Sequence, residues 1–147
     1  MTTQLCEIPE NSLQLDVIID ILKGSKKIAV VGLSPKVERD SNKVAQYLIR
    51  NGYEVIPVNP GQKEILGTQC YKSLKDIPFE VDTVNLFVNP KRLSMVVAQA
   101  IEIKTKAIWM QLGLVNNEAA RLADEAGIKT VMNKCIMIEH DRLKDQL

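Results

Sequence analysis

Lys26-Lys27-Ile28-Ala29-Val30-Val31-Gly32-Leu33-Ser34-Pro35-Lys36-Val37-Glu38-Arg39-Asp40-Ser41-Asn42-Lys43-Val44-Ala45-Gln46-Tyr47-Leu48 is the stretch that decides the fold. Ile28 to Leu33 is a continuous apolar run, the pattern of a strand buried on both faces. Gly32 and Ser34 open a loop of small residues that carries Lys36 and Arg39. From Ser41 to Asn51, Val44, Ala45, Tyr47, Leu48 and Ile49 recur at helical spacing, and Gly52 closes the helix. A strand, a small-residue loop and a helix start are how α/β proteins build a site for a phosphorylated ligand. With only Gly32 present, the loop lacks the three-glycine spacing of a dinucleotide fingerprint.

The same alternation runs on in both directions. Upstream, Leu13 to Leu22 reads as an amphipathic helix with Ser12 as N-cap and Gly24 as a stop, and residues 1–24 form an N-terminal segment packed on a domain of residues 25–147. Downstream, Glu54 to Val58 is a second strand ending in the turn Asn59-Pro60-Gly61, and Gln62 to Leu74 reads as irregular. Thr83 to Val88 is a third strand, and Asn89 with Pro90 opens a helix to Ile103. Ala107 to Gln111 is a fourth strand, Asn116 or Asn117 caps a helix that Gly127 ends, and Ile128 to Met132 is a fifth. A last helix covers Ile138 to Leu143. Strands separated by helices predict an α/β, Rossmann-like, doubly wound parallel sheet of about five strands with helices on both faces. The spacing does not fix the order of the strands.

The length of 147 residues suits one core without disulfides, and the net charge of +1 gives no reason to expect a nucleic-acid partner. Cys6, Cys70 and Cys135 form no metal-ligand spacing, so reduced thiols and a cytoplasmic location are expected. Glu7 and Glu10 mark the N-terminus as unlike a targeting peptide, and no apolar run is long enough to span a membrane. Whether the chain forms a homodimer or docks on another protein is left open.

Ligands of open parallel sheets bind beyond the carboxyl ends of the strands. That rule selects Gly32, Leu33, Ser34, Lys36, Arg39 and Ser41 after the first strand, and Val58, Asn59, Pro60 and Lys63 after the second. It also selects Val88, Asn89 and Pro90 after the third, Gln111 and Gly113 after the fourth, and Asn133 and Cys135 after the fifth. Arg39 can clamp a pyrophosphate and Lys36 can add charge, while Asp40 reads as the N-cap of the helix. No carboxylate follows the second strand until Glu64, which argues against NAD; Lys63 there suits a ligand with a phosphate near its ribose. Catalytic groups are scarce. His140 is the single histidine and reads as a helix-surface residue, and Cys135 as a buried or cleft-lining thiol. Met95, Met110, Met132 and Met137 are expected in the core.

Ala29-Val30-Val31-Gly32-Leu33-Ser34 with Arg39 and Ser41, Val55-Ile56-Pro57-Val58-Asn59-Pro60 with Leu66-Gly67, and Cys70-Tyr71-Lys72-Ser73-Leu74 with Ile77-Pro78 and Val81-Asp82 also carry a resemblance. So do Ile108-Trp109-Met110-Gln111-Leu112-Gly113 and the run from Val131 to His140. Together they resemble the small stand-alone CoA-binding domain proteins, relatives of the CoA-binding domain of succinyl-CoA synthetase alpha subunits and ADP-forming acyl-CoA synthetases. The resemblance covers Lys26 to Arg142. It implies coenzyme A or acyl-CoA as ligand, with the phosphates at Gly32, Ser34, Arg39 and Ser41. It further implies the adenosine and 3′-phosphate by Val58, Asn59, Pro60 and Lys63, a flank at Val88, Asn89 and Pro90, and the pantetheine arm running towards Asn133 and Cys135. Two positions depart from the family pattern and bear on the shape of the pocket: Ile136, where proline often follows the cysteine, and Asn42, where an aromatic residue is common. The synthetases pair this domain with modules this chain does not supply, so the expected role is non-catalytic binding as a sensor, carrier or regulator. The alternatives are a small NADP-dependent or acyl-transfer enzyme using Cys135, and an interaction protein with a vestigial nucleotide pocket.

Overall fold

The computed structural model describes the backbone from residue 7 to 147 and the side chains from residue 14. Helix α1 (Glu7–Gly24) leads into β1 (Lys27–Val31), α2 (Asp40–Arg50) and β2 (Glu54–Val58). A small hairpin follows, β3 (Glu64–Ile65) and β4 (Thr68–Gln69), and then β5 (Thr83–Leu86), α3 (Leu93–Glu102) and β6 (Ala107–Met110). The chain ends with α4 (Asn117–Glu125), β7 (Lys129–Val131) and α5 (Ile136–Leu143). The five long strands form one parallel sheet in the order β2-β1-β5-β6-β7. This is the α/β doubly wound arrangement expected from the alternation.

Alternate residues of each strand feed two cores. Ile28, Val30 and Trp109 face α1, α2 and α5, where Ile18, Leu22, Val44, Leu48, Ile136 and Leu143 are buried. Ala29, Val84, Leu86 and Ile108 face α3 and α4, against Leu93, Val97, Ala119 and Ala123. The helix stripe at Ile18, Ile21 and Leu22 is therefore spent on its own sheet, beside β7 and α5. Among the described residues no helix is long and apolar enough to cross a membrane.

The sheet edge at β2 is closed by chemistry local to the strand. Pro57 lacks an N–H, and its carbonyl accepts from Tyr71 N at 3.0 Å on the side away from β1. Asn59 N donates to Tyr71 O at 2.9 Å, so the residues around Tyr71 run beside the edge.

Several boundaries and burial expectations differ from the sequence reading. Helix α1 already covers Glu7 to Leu13, so Ser12 lies inside it and is not its N-cap. Cys6 lies outside the described residues. The segment read as irregular contains the β3–β4 hairpin. Its turn at Leu66 (φ 54°) and Gly67 (φ 75°) has both central residues left-handed, as tight hairpins require. Asp40 is the first residue of α2 and not its cap; Arg39 holds the cap position and makes no side-chain cap bond. Helix α5 starts two residues early, at Ile136. Met95 is 48% exposed because it sits on the outer side of α3, opposite Val96, Val97 and Ala100; Met110 is fully buried.

His140 is not on the surface. On α5 it shares the inward stripe with Ile136 and Leu143, and its Nδ1 lies 2.7 Å from the Tyr47 hydroxyl. The rings of Tyr47 and Tyr53 meet it edge-on at 5.4 and 5.6 Å. Burial lowers its pKa, opposed by Asp141 and assisted by Lys144. The unfolded chain therefore binds the proton more readily than the folded one, so stability falls as the pH drops below about 6.5 towards the lowered folded value. Urea midpoints between pH 7.5 and 5.5 should decline accordingly, and His140→Gln should flatten this part of the profile; identical slopes for the two proteins would contradict it.

Candidate functional site

Parallel pairing sets the carboxyl ends of β1, β2, β5, β6 and β7 on one edge, so every segment selected from the sequence meets there. The strand order adds what the sequence left open. β1 continues into α2 on one face of the sheet, whereas β5 continues into α3 on the other. The neighbouring ends of β1 and β5 are thus the switch point, where a crevice opens between diverging loops.

At its floor Gly32 has φ 83°, and a Cβ built there would lie 1.9 Å from the Phe87 carbonyl oxygen. The backbones of the two loops meet at this point, which only glycine permits. Gly32 N donates to Val58 O, and Phe87 N to Val31 O, each at 2.9 Å.

The loop after β1 is held by its own polar residues. Ser34 N donates to Ser41 Oγ at 3.0 Å, Lys36 N to Ser34 Oγ at 3.1 Å, and Asn42 Nδ2 to Ser34 O at 2.8 Å. Asn42 is fully buried and its Oδ1 accepts from Gln46, so the departure at this position ties the loop to α2. Asn59 joins the second loop to the first: Nδ2 donates to Leu33 O at 2.9 Å and Oδ1 accepts from Gly61 N at 2.8 Å. Leu33 and Val58 put their side chains into the core and face the crevice with backbone alone.

Around this frame Lys36, Arg39 and Lys63 are exposed, as are Pro60, Asn89 and Pro90, while Val88 is half-buried. None of the ion pairs among the described residues involves Lys36, Arg39, Lys43 or Lys63. The N–H groups of Asp40, Ser41 and Asn42, in the first turn of α2, have no intrahelical acceptor, and the helix dipole adds partial positive charge. Asp40 and Glu38 oppose that charge from the same loop. Asn89 Oδ1 accepts from Lys91 N at 2.9 Å and starts the turn that leads into α3.

The residues after β6 and β7 form a second group. Asn133, with φ 60°, accepts Gly113 N on its Oδ1 at 2.8 Å, and the pair braces these two loops against each other. Trp109 Nε1 donates to Lys134 O at 2.8 Å. Gln111 Oε1 accepts from Ile136 N at 3.1 Å, which fixes the start of α5. Between α2 and α5 lies a cavity of about 340 Å³ lined by Asp40, Lys43, Val44, Phe87, Gln111, Leu112, Cys135, Met137 and Ile138. Gln111 and Cys135 line it; Gly113 and Asn133 do not. The sequence does not mark Phe87, Val44, Met137 and Ile138 as site residues, because the wall they make joins segments more than ninety positions apart. Among the described residues no three His, Cys, Asp or Glu side chains are grouped to hold a metal ion.

The model of the CoA-binding domain family matches residues 26–141, and the chain belongs to that family. It is 42% identical over 123 residues to the uncharacterized protein YneT of Bacillus subtilis (strain 168), covering 84% of this chain and 91% of that protein. The structure of a hypothetical protein from Pyrococcus horikoshii OT3 is similar with a TM-score of 0.84 and 49% identity, over 88% of this chain and 92% of the other. Part of the chain, 52%, is 35% identical to acetate–CoA ligase [ADP-forming] II of Archaeoglobus fulgidus, of which it spans 12%.

Proposed function

We propose that the protein binds coenzyme A or acyl-CoA in the β1/β5 crevice, as a cytoplasmic sensor, carrier or regulator that performs no reaction itself. The observation that carries this reading is the Gly32 floor beside a helix start whose nearby cations lack ion-pair partners among the described residues. In this reading Arg39 and the first N–H groups of α2 take the pyrophosphate, and Lys63 takes the 3′-phosphate. Asn59, engaged at both ends of its amide, positions the loops and leaves no carboxylate to hold free ribose hydroxyls. The single imidazole, His140, is buried against Tyr47 and supplies no base to the crevice, which supports the non-catalytic role.

Isothermal titration with CoA, dephospho-CoA and NADPH tests it. CoA should bind best, and Arg39→Ala should weaken it about tenfold, roughly the loss of one charge-assisted hydrogen bond. Lys63→Ala should bring CoA down to the affinity of dephospho-CoA. No heat with CoA alongside tight NADPH binding would remove the proposal.

The thiol of Cys135 on the cavity wall favours a second reading, acyl transfer. Its thiolate would attack the thioester carbonyl, the bond to the CoA sulfur would break, and CoA would leave as a thiolate that takes up a proton. Intact-mass measurement after incubation with acetyl-CoA decides between the two: an unchanged mass supports binding, and an acetyl adduct on Cys135 supports transfer.

A further inference from the structure

We infer that the cavity at the amino ends of β5, β6 and β7 is a second ligand site, one that takes a small hydroxycarboxylate anion. It lies at the edge of the sheet opposite the crevice, so it stands whether or not the crevice takes CoA. Its volume is about 230 Å³, and the last turns of α1 form one wall. A Cβ built at Gly24 meets nothing within 4 Å, so that wall leaves room where the chain turns from α1 towards β1.

The cations come from the strand starts. Lys106 precedes β6 and Lys129 begins β7; their ammonium groups lie 3.4 Å from Asp82 and 3.5 Å from Asp20. Both distances exceed the roughly 2.7–2.9 Å of a charge-assisted hydrogen bond. Neither carboxylate depends on its lysine. Asp82 Oδ2 accepts from Lys26 N and Lys27 N, both at 2.9 Å, and Asp20 is open to water. The two lysines can therefore turn to an incoming anion without stranding a buried charge. Lys104 adds a third cation. It lines the adjoining hollow, which shares Lys106 and Lys129, and has no ion-pair partner among the described residues. Three ammonium groups meet two carboxylates, so the rim is net positive, while Asp20 and Asp82 disfavour a dianion. A single carboxylate suits this balance better than a phosphate ester.

Ser25 and Thr83 make the interior polar. Both are buried, and their hydroxyls lie 2.7 Å apart. Two hydroxyls carry two protons, and only one serves the bond between them. The other has no acceptor among the described residues. A ligand hydroxyl matches this pair better than a carbonyl, because it can accept that proton and also donate to a free lone pair. Ile21 and Ala107 supply apolar surface beside the hydroxyls. The arrangement fits a carboxylate at the lysines, a stem of a few carbons along Ile21 and Ala107, and a hydroxyl at Ser25 and Thr83. The cavity is smaller than a drug-sized site and holds a molecule of roughly seven non-hydrogen atoms, the size of 3-hydroxybutyrate.

Amide NMR titration at fixed ionic strength with 3-hydroxybutyrate, butyrate and inorganic phosphate tests the inference. Hydroxybutyrate should give saturating shifts at Ser25, Thr83, Ala107 and Lys129, and leave Gly32 and Asn42 in place. Butyrate should bind about fivefold more weakly, the loss of one hydrogen bond, and phosphate should not saturate. Replacing both exposed lysines, Lys106→Gln with Lys129→Gln, should weaken hydroxybutyrate at least about tenfold. Ser25→Ala should bring hydroxybutyrate down to the affinity of butyrate. Phosphate binding as tightly as hydroxybutyrate would reduce the site to a lysine cluster that attracts any anion, and overturn it. Absence of saturating shifts at these amides, or saturation centred on Gly32 and Asn42, would overturn it equally.

Discussion

Gly32→Ala should unfold the protein or bring it to the edge of unfolding, and should abolish CoA binding in whatever folded fraction remains. An alanine there needs a left-handed backbone, which costs an L-residue about 1–2 kcal/mol. The larger cost is steric. Its Cβ would lie 1.9 Å from Phe87 O and 3.0 Å from Phe87 C, backbone atoms that cannot swing aside as a side-chain tip can. Phe87 is itself tied back to β1 by its N–H on Val31 O, so relief requires prising apart the two central strands at the crevice. A loss of about 4 kcal/mol or more is expected, a large part of the total stability of an ordinary domain. Urea unfolding measures it, with Gly24→Ala as control: nothing lies within 4 Å of a Cβ at that position, and the change should stay below about 1 kcal/mol. A midpoint for Gly32→Ala equal to that of the control would show that the two loops do not touch as described.

Asn85→Leu should act in the opposite direction, raising stability by about 1–3 kcal/mol. Asn85 lies in β5 at the middle of the sheet, in register with Val30 on one side and Trp109 on the other, and is fully buried. Neither its Oδ1 nor its Nδ2 has a hydrogen-bond partner among the described residues. Two residues earlier on the same strand face, Thr83 shows how such a group is normally satisfied, with its hydroxyl 2.7 Å from that of Ser25. Leucine keeps the branched four-atom skeleton of asparagine, so the substitution removes an unmet amide without opening a cavity. Its urea midpoint should rise. A fall would overturn this reading of the amide as unmet in the folded protein.

Much of the architecture could be read from local chemistry. The β-branched run at Ile28–Val31, the cap at Asn116 whose Oδ1 accepts from Ala119 N, and the Asn89–Pro90 turn all specify themselves within a few residues. What escaped depends on contacts between distant segments or on weak local signals. The β3–β4 hairpin hides behind Leu66, a residue that rarely turns left-handed. His140 looked like a surface residue because its neighbours Glu139, Asp141 and Arg142 are polar, although the spacing of Ile136, His140 and Leu143 already marks one face. The crevice segments were all visible as strand ends, but their division into a β1/β5 crevice and a β6/β7 group follows from strand order, which no single segment encodes. The cavity wall is the extreme case, since Val44 and Ile138 meet only after the whole sheet has formed.

The finish of the sheet at β2 has a consequence for association. A bare outer strand is a template on which another chain can extend the ladder. Here the proline in β2 offers no donor and its carbonyl is already taken by Tyr71, while the opposite edge, β7, is three residues long and begins at Lys129. Neither border offers a long open row of backbone groups for a neighbour to copy. Copies of this chain that meet must therefore recognise one another through side chains, a contact that point substitutions can tune or abolish without disturbing the sheet beneath.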